Sequence, residues 1–202
     1  MIYTLVKNLF KILFTIFLRL KVEGTENIPK DGPLVIASNH LSLLDPPVLG
    51  TAATRKVHFM AKEELFVPVL GTIYKILGAF PVRRGGADRA AIKHGIDILE
   101  SGQVLAIFPE GTRNKTEDLM LPFKEGSFKI AEKSGCPIIP MAITNSADVL
   151  EAHMPRVKKA HVIVEYGKPI YPNELDKEQK KKIGAYCQDV IAEMLEKNKS
   201  MI

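Results

Sequence analysis

At 202 residues, 46% hydrophobic and 25% charged, the chain has the balance of a folded domain and not of a disordered one. Its net charge of +5 favours acidic partners such as anionic lipid or phosphorylated molecules, and no nucleic-acid-binding motif accompanies that charge. The two cysteines, Cys136 and Cys187, lie far apart without metal-like spacing; they exclude a disulfide framework and read as reduced interior thiols.

Residues 2–20 are mostly Ile, Leu, Val and Phe, with Lys7, Lys11 and Arg19 inside the run. The longest uninterrupted apolar stretch is too short for an ordinary spanning helix. At about 100° per residue, Thr4, Lys7, Asn8, Lys11, Thr15 and Arg19 fall within an arc of roughly 120°, and apolar side chains fill the rest. A narrow basic stripe on a wide apolar helix suits a bilayer interface, with its cations against lipid phosphates. Burying about five such side chains at ~1.5–3 kcal/mol each approaches or exceeds the ~8 kcal/mol of a micromolar complex. No small-x-small site follows, which argues against a cleaved signal peptide. The expectation is an amphipathic, monotopic membrane anchor over residues 1–23 and one folded domain over residues 24–202. A helix packed on its own core is the alternative.

After a turn-rich connection, Leu34-Val35-Ile36-Ala37 reads as a buried strand, and Pro46 starts a helix. Residues 57–61 read as a second strand. The stretch 65–77, LFVPVLGTIYKIL, is broken by Pro68 and Gly71 and reads as a kinked core helix, with an acyl-chain groove or lipid contact as alternatives. A short strand over 79–82 leads to Arg83 and Arg84. Asp88 caps a helix with Ala91, Ile92, Ile96 and Leu99 on one face and Gly102 past its end. Residues 104–108 form a third strand, a helix runs from Gly126 to Gly135, and 138–143 form another strand. Pro140 inside that strand points to a sheet edge or a bulge. A last strand over 161–166 precedes an amphipathic helix carrying Ile183, Cys187, Val190, Ile191, Met194 and Leu195. Strands alternating with helices predict an α/β fold, a single layered domain whose mixed, largely parallel sheet is flanked by helices.

Unusual side chains follow the strands at three exits: His40 with Asp45, Arg83 with Arg84, and Glu110 with Arg113. In an open α/β sheet such exits converge on one crevice. A carboxylate on one imidazole nitrogen leaves the other as a base, so Asp45 can arm His40 toward a hydroxyl; alternatively Asp45 only caps the helix at Pro46. Arg83, Arg84 and Arg113 offer forked donors for a phosphate, Gly111 permits close backbone approach, and Glu110 can accept from a hydroxyl-bearing ligand. No Gly-x-Ser-x-Gly elbow, Walker loop or dinucleotide fingerprint is present, which disfavours an acyl-serine. His58, His94, His153 and His161 share no metal-ligand spacing with His40, and no metal site is expected.

Four blocks carry a resemblance. Asn39-His40 through Asp45, Gly78-Ala79-Phe80-Pro81-Val82-Arg83-Arg84, Phe108-Pro109-Glu110-Gly111-Thr112-Arg113 and Ile138-Ile139-Pro140-Met141 occur in the order of the glycerolipid acyltransferase family. The sequence looks like that family's 1-acylglycerol-3-phosphate branch, over residues 24–170. The resemblance implies that His40 is the general base and Asp45 its orienter. It also implies that Arg83, Glu110, Gly111 and Arg113 hold the acceptor's glycerol phosphate, with Arg84, Thr112 and Lys124 beside them. Ala79 departs from the larger residue common there, which bears on acyl-chain or donor fit. The implied reaction moves a fatty acyl group from acyl-CoA or acyl-carrier protein to lysophosphatidic acid without a cofactor, at the cytoplasmic face of a membrane with anionic lipid. Another lysolipid or glycerol 3-phosphate as acceptor, or a non-catalytic lipid-binding module, are the alternatives.

Overall fold

Leu34–Ser38 forms strand β2, and every one of its side chains is buried. A strand apolar on both faces needs cover on both, which sets a layered architecture. The computed structural model describes residues 2–83, 88–154 and 156–202. Beside β2 lie β1 (Lys21–Glu23), β3 (Val57–Lys62), β4 (Ala79–Val82), β5 (Val104–Ile107), β6 (Ile138–Thr144) and β7 (Ile163–Tyr166). They form one seven-stranded sheet ordered β1-β7-β6-β2-β5-β3-β4, parallel throughout except between β6 and β7.

Alternate residues of β2 feed opposite cores. Val35 and Ala37 pack with Ile98, Leu99, Ile130, Ile191 and Leu195. These come from α4 (Arg89–Glu100), α5 (Lys129–Ser134) and α7 (Ile183–Lys199). Leu34 and Ile36 pack instead with Phe14, Leu18, Val48 and Leu49, under α1 (Ile2–Phe17) and α2 (Asp45–Ala52). At about 1.5–3 kcal/mol for each fully buried Leu, Ile or Val, this period-two alternation drives the three-layer arrangement. Asp88 caps α4 as its sequence predicts, accepting from the Ala91 amide at 3.0 Å, and Gly135 ends α5 in the left-handed conformation. At the C-terminus a capping box at Asp176 opens α6 (Lys177–Lys181), which breaks at Lys182 before α7.

Three local expectations need correction. Residues 21–23, read with the N-terminal helix, form the edge strand β1 against β7. Pro140 lies in β6, which is held between β7 and β2 and is not an edge. The bulge alternative fits: Ile138 pairs with Ile170 and Met141 with Tyr166, so three steps along β6 face four along its partner. The proline carbonyl accepts from the Gly167 amide at 2.8 Å, and its missing N–H falls at this irregularity. Finally, residues 65–77 do not make a core helix. Pro68 lies in the break between a turn at Glu63–Leu65 and the short α3 (Leu70–Ile76), which contains Gly71; Phe66 and Tyr74 pack inward, while Val69 is 75% exposed.

α1 is amphipathic, and it turns its polar stripe toward the domain. Lys7 Nζ donates to the Ala53 carbonyl, and Thr4, Lys7, Asn8, Lys11 and Thr15 line a cleft against Thr51, Thr54 and Lys56. Burial and the nearby Lys11 lower the pKa of Lys7 below its ordinary value. Phe14 reaches the core, whereas Leu5 (72% exposed), Leu9, Ile12 (58%) and Ile16 face outward. Among the described residues no helix is long and apolar enough to cross a membrane.

Candidate active site

The site begins where β2 ends. Asn39 is fully buried, and its side chain completes the ladder in place of backbone. Its amide nitrogen donates to the Ile143 carbonyl at 2.9 Å, and the Ile143 amide donates to its Oδ1 at 2.8 Å. The chain then leaves the sheet at His40. Its ring stacks on Phe108 at the tip of β5, with centroids 4.3 Å apart. The same β5 loop clamps the His40 backbone from both sides. The His40 amide donates to Glu110 Oε1 at 2.6 Å, and the Asn114 amide donates to the His40 carbonyl at 2.7 Å.

Asp45 is the first residue of α2, and Pro46 and Pro47 occupy first-turn positions where no amide donor is missed. Its carboxylate does not cap that helix; it turns back to the loop. Oδ2 accepts from the Leu41 amide at 2.6 Å and the Ser42 amide at 2.7 Å, and it lies 2.9 Å from His40 Nδ1. Asp45 is fully buried, and its Oδ1 has no partner among the described residues. With Nδ1–H directed at this carboxylate, Nε2 is left as an acceptor; it has no hydrogen-bond partner among the described residues, and the His40 side chain retains 14% exposure.

Glu110 is 2% exposed, and both of its oxygens are engaged: Oε2 also accepts from the Leu121 amide at 2.9 Å. Burial raises its pKa above the ordinary carboxyl value, outweighing the bonds from Leu121 and His40. The geometry thus gives Glu110 the task of holding the His40 backbone, where its sequence context pointed to a ligand hydroxyl. Gly111 has φ +72°, and a Cβ there would lie 2.6 Å from Lys124 Nζ, so the glycine lets the ammonium approach the turn. Thr112 is exposed beside it. Arg113 is joined to the His40 loop through Glu151, whose Oε1 lies 3.1 Å from Arg113 Nη1. Glu151 Oε1 also accepts from the Leu43 amide at 2.7 Å, and its Oε2 from Ser42 Oγ at 2.6 Å. Sequence reasoning did not single out Glu151. It follows Arg113 by 38 residues in a short turn, Glu151–His153, and no motif marks it.

His40, Asp45, Glu110, Gly111, Arg113 and Lys124 therefore gather at the adjoining ends of β2 and β5. Arg83 does not join them. It follows the outermost strand, β4, three strand positions from β2, or about 14 Å at the usual spacing. Its side chain is 79% exposed, with Nε 3.1 Å from Glu63 Oε2. It lines a separate cavity of about 390 Å³ with Phe80, Asp88 and His94. Arg84 lies outside the described residues.

Residues 19–144 match the family model described as Acyltransferase, and that span holds the whole His40 and Glu110–Arg113 assembly. The chain belongs to the acyltransferase family. It is 33% identical over 171 residues to the 1-acyl-sn-glycerol-3-phosphate acyltransferase of Bacillus subtilis, covering 84% of this chain and 82% of that relative. A Saccharomyces cerevisiae protein of the same name is 33% identical over 189 residues, covering 89% of this chain; the chain spans 59% of the yeast relative's length. The crystal structure of the 1-acyl-sn-glycerophosphate (LPA) acyltransferase PlsC from Thermotoga maritima superposes with a TM-score of 0.82 at 30% identity, covering 98% of this chain and 79% of that one. These relatives belong to the 1-acylglycerol-3-phosphate branch of the acyltransferase family, the branch that the four sequence blocks resemble. Glu151 lies beyond the residues matched by the acyltransferase model.

Proposed function

We propose that the chain transfers a fatty acyl group from acyl-CoA or acyl-carrier protein to the free hydroxyl of 1-acylglycerol 3-phosphate, giving phosphatidic acid. The observation that carries this reading is the single Asp45 oxygen that holds His40 Nδ1 at 2.9 Å while two backbone amides fix its own position. An imidazole so oriented presents Nε2 as a base. It takes the hydroxyl proton as the alcohol oxygen attacks the thioester carbonyl carbon. The tetrahedral adduct then expels sulfur, and the imidazolium returns its proton to the leaving thiolate. Products are the ester and a free thiol, with the base regenerated.

Arg113 and Lys124 bind the acceptor phosphate in this reading, next to the turn that Gly111 opens. Arg83 serves a more distant part of the ligand at its own cavity. The outward apolar face of α1 rests in the interface of a membrane carrying anionic lipid, on the cytoplasmic side, where a lysolipid tail already lies. Binding and base then meet without the acceptor leaving the bilayer, which lowers the entropic cost of encounter.

The test is thiol release by the purified full chain with vesicles containing lysophosphatidic acid and a panel of acyl-CoA and acyl-carrier-protein donors. Release should depend on the lysolipid, and His40→Ala should lower the rate by about 10²–10⁴. Activity of that variant within a few-fold of wild type removes His40 from the mechanism.

A further inference from the structure

The His40 loop is held by two carboxylates. Asp45 accepts from the amides of Leu41 and Ser42, and Glu151 accepts from the amide of Leu43 and the hydroxyl of Ser42. The Leu44 amide completes the turn by donating to Ser42 Oγ at 3.0 Å. Every amide from 41 to 44 is thereby fixed. Of the two carboxylates, Asp45 also holds the imidazole, whereas Glu151 also holds Arg113. Among the described residues, Glu151 is the one side chain that bonds both to this loop and to a guanidinium of the β5 loop.

We propose that Glu151 is a positioning residue that couples phosphate occupancy at Arg113 to the setting of the His40 loop. The inference rests on the acyl-transfer reading above, since it takes Arg113 as a phosphate ligand. The Arg113 fork has five N–H donors, and one nitrogen now faces Glu151. An arriving phosphate competes for that fork and repels the neighbouring carboxylate. Glu151 is held by Ser42 and Leu43, so its displacement moves those residues. Ser42 transmits the movement to Asp45 Oδ2, the same oxygen that orients His40 Nδ1. Without Glu151, Arg113 can still attract a phosphate but has no bonded route to the base.

The experiment is nuclear magnetic resonance of the histidine ring nitrogens in the full chain, labelled with nitrogen-15 and held in lipid nanodiscs. The titrant is a deoxy analogue of lysophosphatidic acid, which carries the phosphate but lacks the hydroxyl that would touch His40 Nε2, and separately lysophosphatidic acid itself. His40 signals are identified by their absence in His40→Ala. The wild-type His40 resonances should shift on titration with the analogue, and Glu151→Ala should abolish that shift. Glu151→Gln should keep it, because an amide oxygen still accepts from Leu43 and Arg113 while its N–H₂ donates to Ser42 Oγ. In kinetics, Glu151→Ala should lower kcat about tenfold and lower the acceptor KM with it, since the phosphate no longer competes with a carboxylate for the fork, while the thioester KM stays unchanged; adding it to Arg113→Ala should change acceptor KM less than about twofold. A merely structural role predicts a smaller active fraction with both KM values intact. Equal His40 shifts in wild type and Glu151→Ala overturn the coupling alone. No wild-type shift with the analogue, but a shift with lysophosphatidic acid, overturns the coupling alone; no shift with either overturns the acyl-transfer reading as well. If Glu151→Ala does not fold, Ser42→Ala severs one arm, and an undiminished shift there overturns the coupling equally.

Discussion

Replacing Glu110 by Gln distinguishes a residue that holds the protein from one that holds the acceptor. In the structure its two oxygens receive the amides of His40 at 2.6 Å and Leu121 at 2.9 Å, at 2% exposure. A glutamine of the same shape supplies one acceptor oxygen and one N–H₂, so one of the two amides meets a donor. Losing a hydrogen bond to a charged acceptor costs about 1.5–3 kcal/mol, and orphaning a buried N–H about 1–3 kcal/mol. Relief of the buried charge offsets part of that, leaving a net loss of about 2 kcal/mol. For a chain of this size the melting temperature should fall by about 4–8 °C. The pH dependence has a definite sign. Burial raises the folded carboxyl's pKa above its ordinary 4.5, so the folded chain holds this proton more tightly than the unfolded chain does. Glu110's contribution is thus fullest below the ordinary value and is lost as pH rises through the folded one. The stability gap between wild type and variant should be wider at about pH 4 than at about pH 7. Denaturant unfolding of both proteins at the two pH values measures it, and thiol release gives a parallel fall in kcat as His40 loses its anchor. An unchanged melting temperature with a raised acceptor KM would refute this account and return Glu110 to the ligand.

Gly111→Ala combines φ +72° with a Cβ against Lys124 Nζ; it should cost about 1–2 kcal/mol and raise the KM for phosphorylated acceptor, read by unfolding midpoint and steady-state kinetics. Asn39→Ala orphans both the N–H and the carbonyl of Ile143 and should destabilise by about 2–4 kcal/mol, and Asn39→Asp, which buries a carboxylate and sets an oxygen against that carbonyl, should lose at least as much; denaturation midpoints compare the two. Burial pushes the Cys136 thiol up to about 11 and the Cys187 thiol higher still. At pH 8 the Cys136 thiolate is roughly 0.1% of the population, so native protein should resist thiol reagents and denatured protein should label at both positions. Rapid native labelling counts against that burial.

Local signals carried much of the fold. The run ending at Ala37 announces a buried strand by composition alone, and Asp88 announces its helix by the cap it makes. Placing His40 just past β2 and Glu110 just past β5 required only that parallel strands end on one side, and the β2–β5 pairing brings these two loops together. The strand order was not legible. It puts Arg83 three strands away, although its spacing after β4 resembles that of Arg113 after β5. Glu151 was invisible for a related reason: its value comes from contacts across more than a hundred residues with Ser42 and Leu43. The stretch 65–77 misled because apolar content alone cannot say whether a side chain faces core or surface once Pro68 has broken the period. The angular width of the stripe on α1 was readable, but the direction in which the stripe points depends on Ala53 and the cleft beneath it.

In the proposed acyl-transfer reading, Asp45 Oδ2 both holds the turn at residues 41–42 and orients the base. The loop cannot loosen without freeing the imidazole, so local melting near residues 41–44 and loss of proton-accepting power are one event. Heat, denaturant or a distant substitution that softens this turn should therefore silence the chain well before it unfolds, with activity fading at temperatures where the sheet is still whole.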